Sequence, residues 1–268
     1  MRNPAEDRVR NFYSTVGWEE QSGITEDSRR FEDLRDSARE YVSKSRLRVL
    51  RHIPAAGEKM LDMASGPVQY PEYVEYSRTF AKRYCVDLSM QALESAKKKI
   101  GDRGVFLCGS FMDLDLNSDI FDCVISLHTI YHIDRDLQEQ AVRKLLRVCK
   151  PGAPIVIVYS NPDHLRNKLG QWARFARLIT KPKAVDNAHV AGELYFFAHP
   201  LSWWNRFRDE VEVKIYPCRF LSSDQQKRLI PDNGLGRTMF SILYAAEEAF
   251  PQLFAKYSMH PMIVMTKR

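Results

Sequence analysis

Between Lys59 and Tyr159 the chain alternates short apolar runs with longer stretches in which apolar residues recur every three or four positions. Runs of the first kind read as buried strands, and stretches of the second kind as amphipathic helices. The pattern predicts strands over 59–63, 84–88, 105–108, 121–127 and 154–159, and helices over 72–80, 90–100 and 137–149. Pro151-Gly152 supplies the turn before the fifth strand. Strands separated by helices imply right-handed crossovers and a parallel sheet covered on both faces. Apolar runs at 211–216 and 262–265 add two C-terminal strands, so the expected architecture is α/β, doubly wound, around a mostly parallel seven-stranded sheet.

Outside that rhythm the pattern changes. Residues 7–52 are charged and helix-prone, with Phe31, Leu34, Ala38, Tyr41 and Val42 at helical spacing, and so predict an N-terminal helical arm. Near its start lies an aromatic cluster of Phe12, Tyr13 and Trp18, which serves either to pack the arm onto the core or to close over a ligand. Residues 161–201 form a polar and aromatic excursion with a helix expected around 165–178. A helix carrying Trp203, Trp204 and Phe207 follows, and 224–257 reads as mostly helical with a stop at 231–236. The expected organisation is one domain over 1–268: an arm (1–57), a cofactor-binding core (58–160), a lid and acceptor insertion (161–210), and C-terminal strands and helices (211–268). No linker marks a second domain.

Composition narrows the class. With 268 residues and 44% hydrophobic content the chain is globular, and its longest apolar runs fall far short of a membrane span of roughly 20 residues. A cytoplasmic protein is expected. The five cysteines form no CxxC pair, which points away from a disulfide framework or a zinc site, and no metal is expected. The net charge of +6 is spread along the chain and interleaved with acids. The one run of three, Lys97-Lys98-Lys99, has no interleaved aromatics for stacking bases, so nucleic acid is disfavoured as a partner.

Candidate chemistry gathers at strand ends. Asp62 precedes the small-residue turn Ala64-Ser65-Gly66-Pro67; Asp87 precedes Leu88-Ser89; Gly109-Ser110-Phe111 and Ser126-Leu127-His128 close the next two strands. A parallel sheet carries all four to one edge, where open α/β sheets bind ligands. An acid at the second strand end suits the two hydroxyls of a ribose, although Asp87 also fits as a cap for the helix beginning near Met90. His128 and His132 lie four apart and share a face if a helix starts there. His128 is the first candidate for a general base or acceptor-orienting group, with His132 beside it. Two histidines at this spacing can bind metal, yet no third ligand stands nearby.

These residues resemble the class I S-adenosylmethionine-dependent methyltransferases, and within them the small-molecule type 11 group. The resemblance rests on Leu61-Asp62-Met63-Ala64-Ser65-Gly66-Pro67, Val86-Asp87-Leu88-Ser89, Phe121-Asp122-Cys123-Val124-Ile125-Ser126 and Leu146-Arg147-Val148-Cys149-Lys150-Pro151-Gly152. It implies a Rossmann-like methyltransferase fold with S-adenosyl-L-methionine as cofactor. The first turn would hold the amino-acid part of the cofactor and Asp87 its ribose; Ser110 and Phe111 would flank the adenine; Leu127 and His128 would face the cleft. Tyr13 joins this cofactor set from the arm. The family turn usually carries two or three glycines, whereas only Gly66 remains here, and Ser110 stands where the family commonly has an acid. Tyr131, Tyr195, Phe197, His199 and Trp203 are the candidates to shape an acceptor pocket, or else core packing.

The expected reaction is methyl transfer to an oxygen, or second to a nitrogen, of a small-molecule or glycan-like acceptor. RNA or protein methylation is a rival, as is a cofactor-binding protein without catalysis, which the thinned glycine turn favours. Nothing in the sequence specifies an oligomeric state.

Overall fold

The computed structural model describes residues 3–164 and 194–268, and a seven-stranded sheet forms its centre. Its strands are β3 (Gly57–Met63), β4 (Phe80–Asp87), β5 (Gly104–Cys108), β6 (Cys123–Leu127), β7 (Pro154–Val158), β8 (Val211–Arg219) and β9 (His260–Lys267). The order across the sheet is β5-β4-β3-β6-β7-β9-β8. Strands β5, β4, β3, β6 and β7 pair in parallel, and β9 runs antiparallel to both β7 and β8. Two consequences follow. The carboxyl ends of β3, β4, β5, β6, β7 and β8 lie on one edge, and the first residues of β9 join them there.

Alternation along each strand divides the core between the two faces. Leu61, Val86, Val124, Ile155, Ile157 and Ile263 face one side, against Val142 and Leu145 of α6 (Gln138–Val148) and against Trp204 and Phe207. Met60, Cys123, Ile125, Val156, Val158 and Met262 face the other, against Val49, Tyr76 and Phe80. Helix α5 (Met90–Ile100) starts where Ser89 accepts a hydrogen bond from Ala92 N and stops at Gly101, whose φ of 65° no longer fits a helix. It buries Leu93, Ala96 and Ile100 against Cys85 and Val68.

The arm departs from one continuous helical pattern. It is broken into α1 (Pro4–Phe12), α2 (Glu26–Phe31) and α3 (Arg39–Leu47), with a small hairpin of β1 (Glu20–Gln21) and β2 (Ile24–Thr25) between the first two. Ser22 and Gly23, both at positive φ, make the hairpin turn, and Asp33 pairs with Arg35 in the second break. The helix expected over 72–80 is also shorter. It ends at Glu75 as α4 (Pro71–Glu75), because β4 already pairs with β3 from Phe80 opposite Gly57. Leu201–Phe207 is a 3-10 helix, and α7 (Ser223–Leu229), α8 (Gly234–Ala249) and α9 (Pro251–Tyr257) fill the stretch before β9. The helix expected around 165–178 lies outside the described residues.

Buried ionic groups fasten these layers. Arg83 on β4 donates from Nη2 to Asp62 on β3 at 2.5 Å, and both side chains are shut off from solvent. Arg48 pairs with Glu247 of α8 and donates to the Cys218 carbonyl at 2.8 Å, while Tyr41 donates to Glu247 at 2.7 Å. Removing one partner of such a pair strands a buried charge, which costs about 3–5 kcal/mol, whereas replacing both by apolar groups costs far less. Arg83→Met is therefore expected to lower unfolding stability by about 3–5 kcal/mol. Asp62→Leu combined with Arg83→Met is expected to regain most of it. Urea unfolding of the two variants checks this, and a double variant as weak as the single one would contradict it.

Candidate cofactor and acceptor site

The turn after β3 is shaped by left-handed backbone. Ala64 (φ 57°) and Gly66 (φ 54°) both sit in a region that side chains disfavour, at a cost on the order of 1–2 kcal/mol for a non-glycine residue. Four hydrogen bonds hold the strain. Ser65 N donates to the Val86 carbonyl at 3.0 Å, and Gly66 N donates to Asp87 Oδ2 at 2.8 Å. Lys99 of α5 reaches back to the Pro67 and Val68 carbonyls at 2.9 and 3.0 Å. Asp87 also accepts from Ser89 N at 2.9 Å through Oδ1, so one carboxylate ties the turn to the start of α5. Each oxygen keeps a lone pair for a further donor. Burial pushes the Asp87 carboxyl up to about 6.

The N-terminal arm closes over this turn. A Cβ built on Gly66 would lie 2.9 Å from the Trp18 ring, so the indole rests directly on the glycine. Tyr13 stacks on Trp18 with ring centroids 4.8 Å apart, and its hydroxyl donates to Asp27 at 3.3 Å. Trp18 Nε1 is buried without a partner. Ser110 donates to Glu6 of α1 at 2.5 Å, which places an acid from the arm beside the residue that lacks the family's acid. Trp18 and Glu6 escape assignment from sequence because their meeting with Gly66 and Ser110 depends on how the arm folds back.

The remaining cofactor candidates divide. Pro67 is buried in the turn, Leu88 and Leu127 are half-buried at their strand ends, and Phe111 is buried in the main core with Lys144 over its ring. Asp62 is bonded to Arg83 within the sheet, behind the turn. The turn, the adjacent carboxylate and the orphaned indole N–H fit a ligand with an amino-acid end and a ribose.

Comparison with known proteins agrees. Residues 61–157 match the model of a family described as a methyltransferase domain. Residues 61–157 thus carry a methyltransferase domain of the kind that the sequence resemblance implies. Its cofactor is S-adenosylmethionine. Geranyl diphosphate C-methyltransferase from Streptomyces coelicolor A3(2) aligns with a TM-score of 0.57 and 14% identity over 99% of this chain and 98% of its own. A SAM-dependent methyltransferase from Archaeoglobus fulgidus gives 0.54 and 15% over 85% and 94%. A possible histamine N-methyltransferase from Thermotoga maritima gives 0.53 and 16% over 85% and 90%. At these identities the likeness is one of fold. No curated protein matches the chain. Among the described residues no helix is long and apolar enough to cross a membrane.

In this methyltransferase the segment after β6 carries the histidines. His128 adopts φ 58°, and its Nδ1 lies 3.1 Å from the Tyr131 hydroxyl. Burial first, then the nearby Arg219, pulls its pKa down to about 3, so the ring is neutral at physiological pH. His132 faces elsewhere: its Nδ1 donates to the Tyr195 carbonyl at 2.7 Å, and burial lowers it to about 4. The histidines do not share a helix face, because 130–132 is a single 3-10 turn.

The aromatic candidates are likewise separated. Phe197 N donates to the Tyr131 carbonyl at 2.7 Å, and the Tyr195 hydroxyl accepts from Arg135 N at 3.0 Å, so this segment lies along the outside of the loop that holds Tyr131. His199 stacks on Trp203 at 4.6 Å, and Trp203 is part of the main core. Of this set Tyr131 alone is bonded to His128. Residues of the arm, of α4 and of the C-terminal strands take the place beside His128 instead: Glu32, Arg46, Tyr73, Arg219 and His260 line a cavity with it.

The ribose role expected for Asp87 has a pH signature. Ionised, the carboxylate accepts from ligand hydroxyls as well as from the two backbone N–H groups; protonated, it gives up part of that capacity. Cofactor affinity is therefore expected to hold above about pH 6 and to fall as pH drops through that value. For the ligand-free fold the sign is opposite. A carboxyl raised from its unfolded value near about 4 adds stability below that pH and loses it as pH rises through about 6. Asp87→Asn is expected to weaken cofactor binding by about 1–3 kcal/mol near neutral pH and to flatten the pH dependence. Calorimetry with S-adenosylhomocysteine on either side of about pH 6 checks both; unchanged affinity would reduce Asp87 to a cap of α5.

Proposed function

We propose that this methyltransferase moves the methyl group of S-adenosylmethionine to an oxygen of a small-molecule acceptor. The supporting observation is the cavity beside His128, which opens at the same sheet edge as the Ala64–Gly66 turn and Asp87. The cavity's free volume of about 20 Å³ admits only a group about the size of a water, so it suits one polar end of a small acceptor that reaches in from the sheet edge. S-Adenosylmethionine, when bound, supplies a methyl carbon made electrophilic by a positively charged sulfonium.

The chain's own part is to bind, orient and exclude water. The turn and Asp87 hold the cofactor, while Trp18 and Tyr13 cover it from the arm. His128 presents its second nitrogen, Nε2, to the acceptor, because Nδ1 is engaged with Tyr131. With a pKa near about 3 it is too weak a base to take a hydroxyl proton outright at neutral pH, so its contribution is to orient the acceptor oxygen by a hydrogen bond. Alignment of nucleophile and methyl carbon is the larger part of catalysis in such a displacement. His132 supports this arrangement from behind by holding the 194–199 segment against Tyr131.

His128→Gln is expected to reduce methyl transfer on the order of 10- to 100-fold while leaving S-adenosylmethionine affinity nearly unchanged. Between about pH 5 and 8 the wild-type rate should show no limb from His128. The check is label transfer from S-adenosylmethionine into a panel of small hydroxylated and carboxylated molecules, preceded by calorimetric titration of the cofactor. Absence of cofactor binding would sink the proposal, and binding with no transfer to any acceptor would favour a non-catalytic binder.

A further inference from the structure

The wall of the cavity beside His128 carries two arginines whose hydrogen-bonding capacity is only partly used. Arg219, the last residue of β8, stands opposite His260, the first residue of β9, in the strand register. The His260 ring meets the His128 ring edge-to-face at 4.9 Å. Arg219 donates from Nη1 to Glu32 at 2.5 Å, and among the described residues that is the one hydrogen bond its guanidinium makes. Arg46 enters from α3, its nitrogens 3.6 Å from both Glu32 and Glu72, with its guanidinium 3.3 Å over the Tyr70 ring.

Two guanidinium groups and the carboxylate of Glu32 line the cavity, and Glu72 sits against Arg46 from outside the lining, so unused donors rather than net charge distinguish this wall. Glu32 is already compensated: Arg219 and Arg46 hold its carboxyl below the usual range despite burial. Donors remain. Arg219 keeps Nε and Nη2, Arg46 Nε is buried without a partner, and so is His260 Nδ1. A buried polar atom without a partner carries a desolvation cost that a ligand atom can remove. Both histidines are pulled far below their ordinary values, with Arg219 the largest cause after burial, so the potential felt along this wall is positive.

We propose that the acceptor carries an oxyanion, a carboxylate or a phosphate, held in this cavity by the free edge of the Arg219 guanidinium and by His260. The inference rests on taking the cavity as acceptor space. A guanidinium offers parallel N–H donors that match either anion, and the neutral His260 adds one in the tautomer that places its proton on Nδ1. The opposite choice, a cationic acceptor drawn by Glu32, meets two arginines that already neutralise that carboxylate. The same anchor would leave the rest of the acceptor toward His128 and the cofactor turn along the sheet edge.

The test uses the full chain saturated with S-adenosylhomocysteine and four probes of one shape: phenyl phosphate, benzoate, benzyl alcohol and benzylamine. Calorimetry is expected to show saturable binding of phenyl phosphate or benzoate and none of the alcohol or amine at equal concentration. Whichever anion binds more tightly identifies the source of the oxyanion. Arg219→Gln is expected to weaken anion binding by about tenfold or more, as loss of a charge-assisted hydrogen bond does. Because that variant leaves Glu32 without its partner, His260→Phe, which spares the ion pair, provides a second measurement, with a similar loss expected. Failure of both anions to bind, tighter binding of benzylamine, or anion affinity unmoved in both variants would overturn the inference. Intact S-adenosylhomocysteine binding without anion binding strikes this inference alone. Loss of S-adenosylhomocysteine binding in the first step strikes the proposed function, and the anion titration on the free protein still decides the cavity.

Discussion

One constraint governs the molecule: strands β3 to β7 run in a single direction, so every residue just past a strand end is delivered to the same edge. Backbone hydrogen bonding ends there, and the chain must turn within a few residues. Each turn consequently leaves polar groups to be satisfied by something other than a ladder. At β3 the answer is Asp87, whose two oxygens collect Gly66 N and Ser89 N. At β6 it is the Val158 carbonyl, which accepts from His128 N at 2.9 Å and lets His128 take up its left-handed backbone. The antiparallel β9 completes the edge from the opposite direction, since its first residue, His260, begins where the others end.

An open edge of this kind binds nothing selectively until it is walled, and the arm supplies the wall. Its attachment is ionic as well as apolar, since Ala38, Tyr41 and Val42 also pack on Ile230 and Phe240. Glu32 meets Arg219, and Arg48 meets Glu247, in places closed to solvent. Buried pairs add little net stability, because desolvation offsets attraction, but they penalise misplacement heavily. That trade suits an arm whose position decides what the cavity can hold. Trp18 on Gly66 and Glu6 on Ser110 are the result at the cofactor end; Glu32 and Arg46 are the result at the acceptor end.

Legibility in the sequence followed the range of the interactions. Strand and helix periodicity within 58–160 is local, and the elements there appear within a few residues of their expected bounds. The helix expected over 72–80 missed because the ladder between Gly57 and Phe80 outweighs a helical pattern over its last residues. Asp87, Gly66 and His128 were visible because a strand end announces itself. Arg219 and His260 were not, since each is an isolated polar residue in a C-terminal apolar run, and what joins them to His128 is sheet order between strands distant in the sequence, Arg219 and His260 lying 91 and 132 positions beyond His128. The aromatic patch from Tyr195 to Trp203 was conspicuous for the opposite reason. Its density marked core packing around Tyr159 and Tyr131 more than it marked ligand contact.

The two ends of the site are electrostatically linked. Burial first, and Arg219 after it, depresses both His128 and His260, so the groups nearest the acceptor are weak bases in the free protein. An oxyanion placed against the free edge of Arg219 adds negative charge to that already supplied by Glu32. It would offset part of the depression of His128, since an opposite charge within a few ångströms favours the protonated ring, while burial, the larger cause, still keeps that ring neutral at physiological pH. A histidine that is inert in the free protein and more basic in the complex would orient the acceptor without holding a competing charge beforehand. On that argument the arginine that anchors the substrate and the histidine that orients it act as one unit, and the fold places them together through the antiparallel turn of β9 onto the parallel edge.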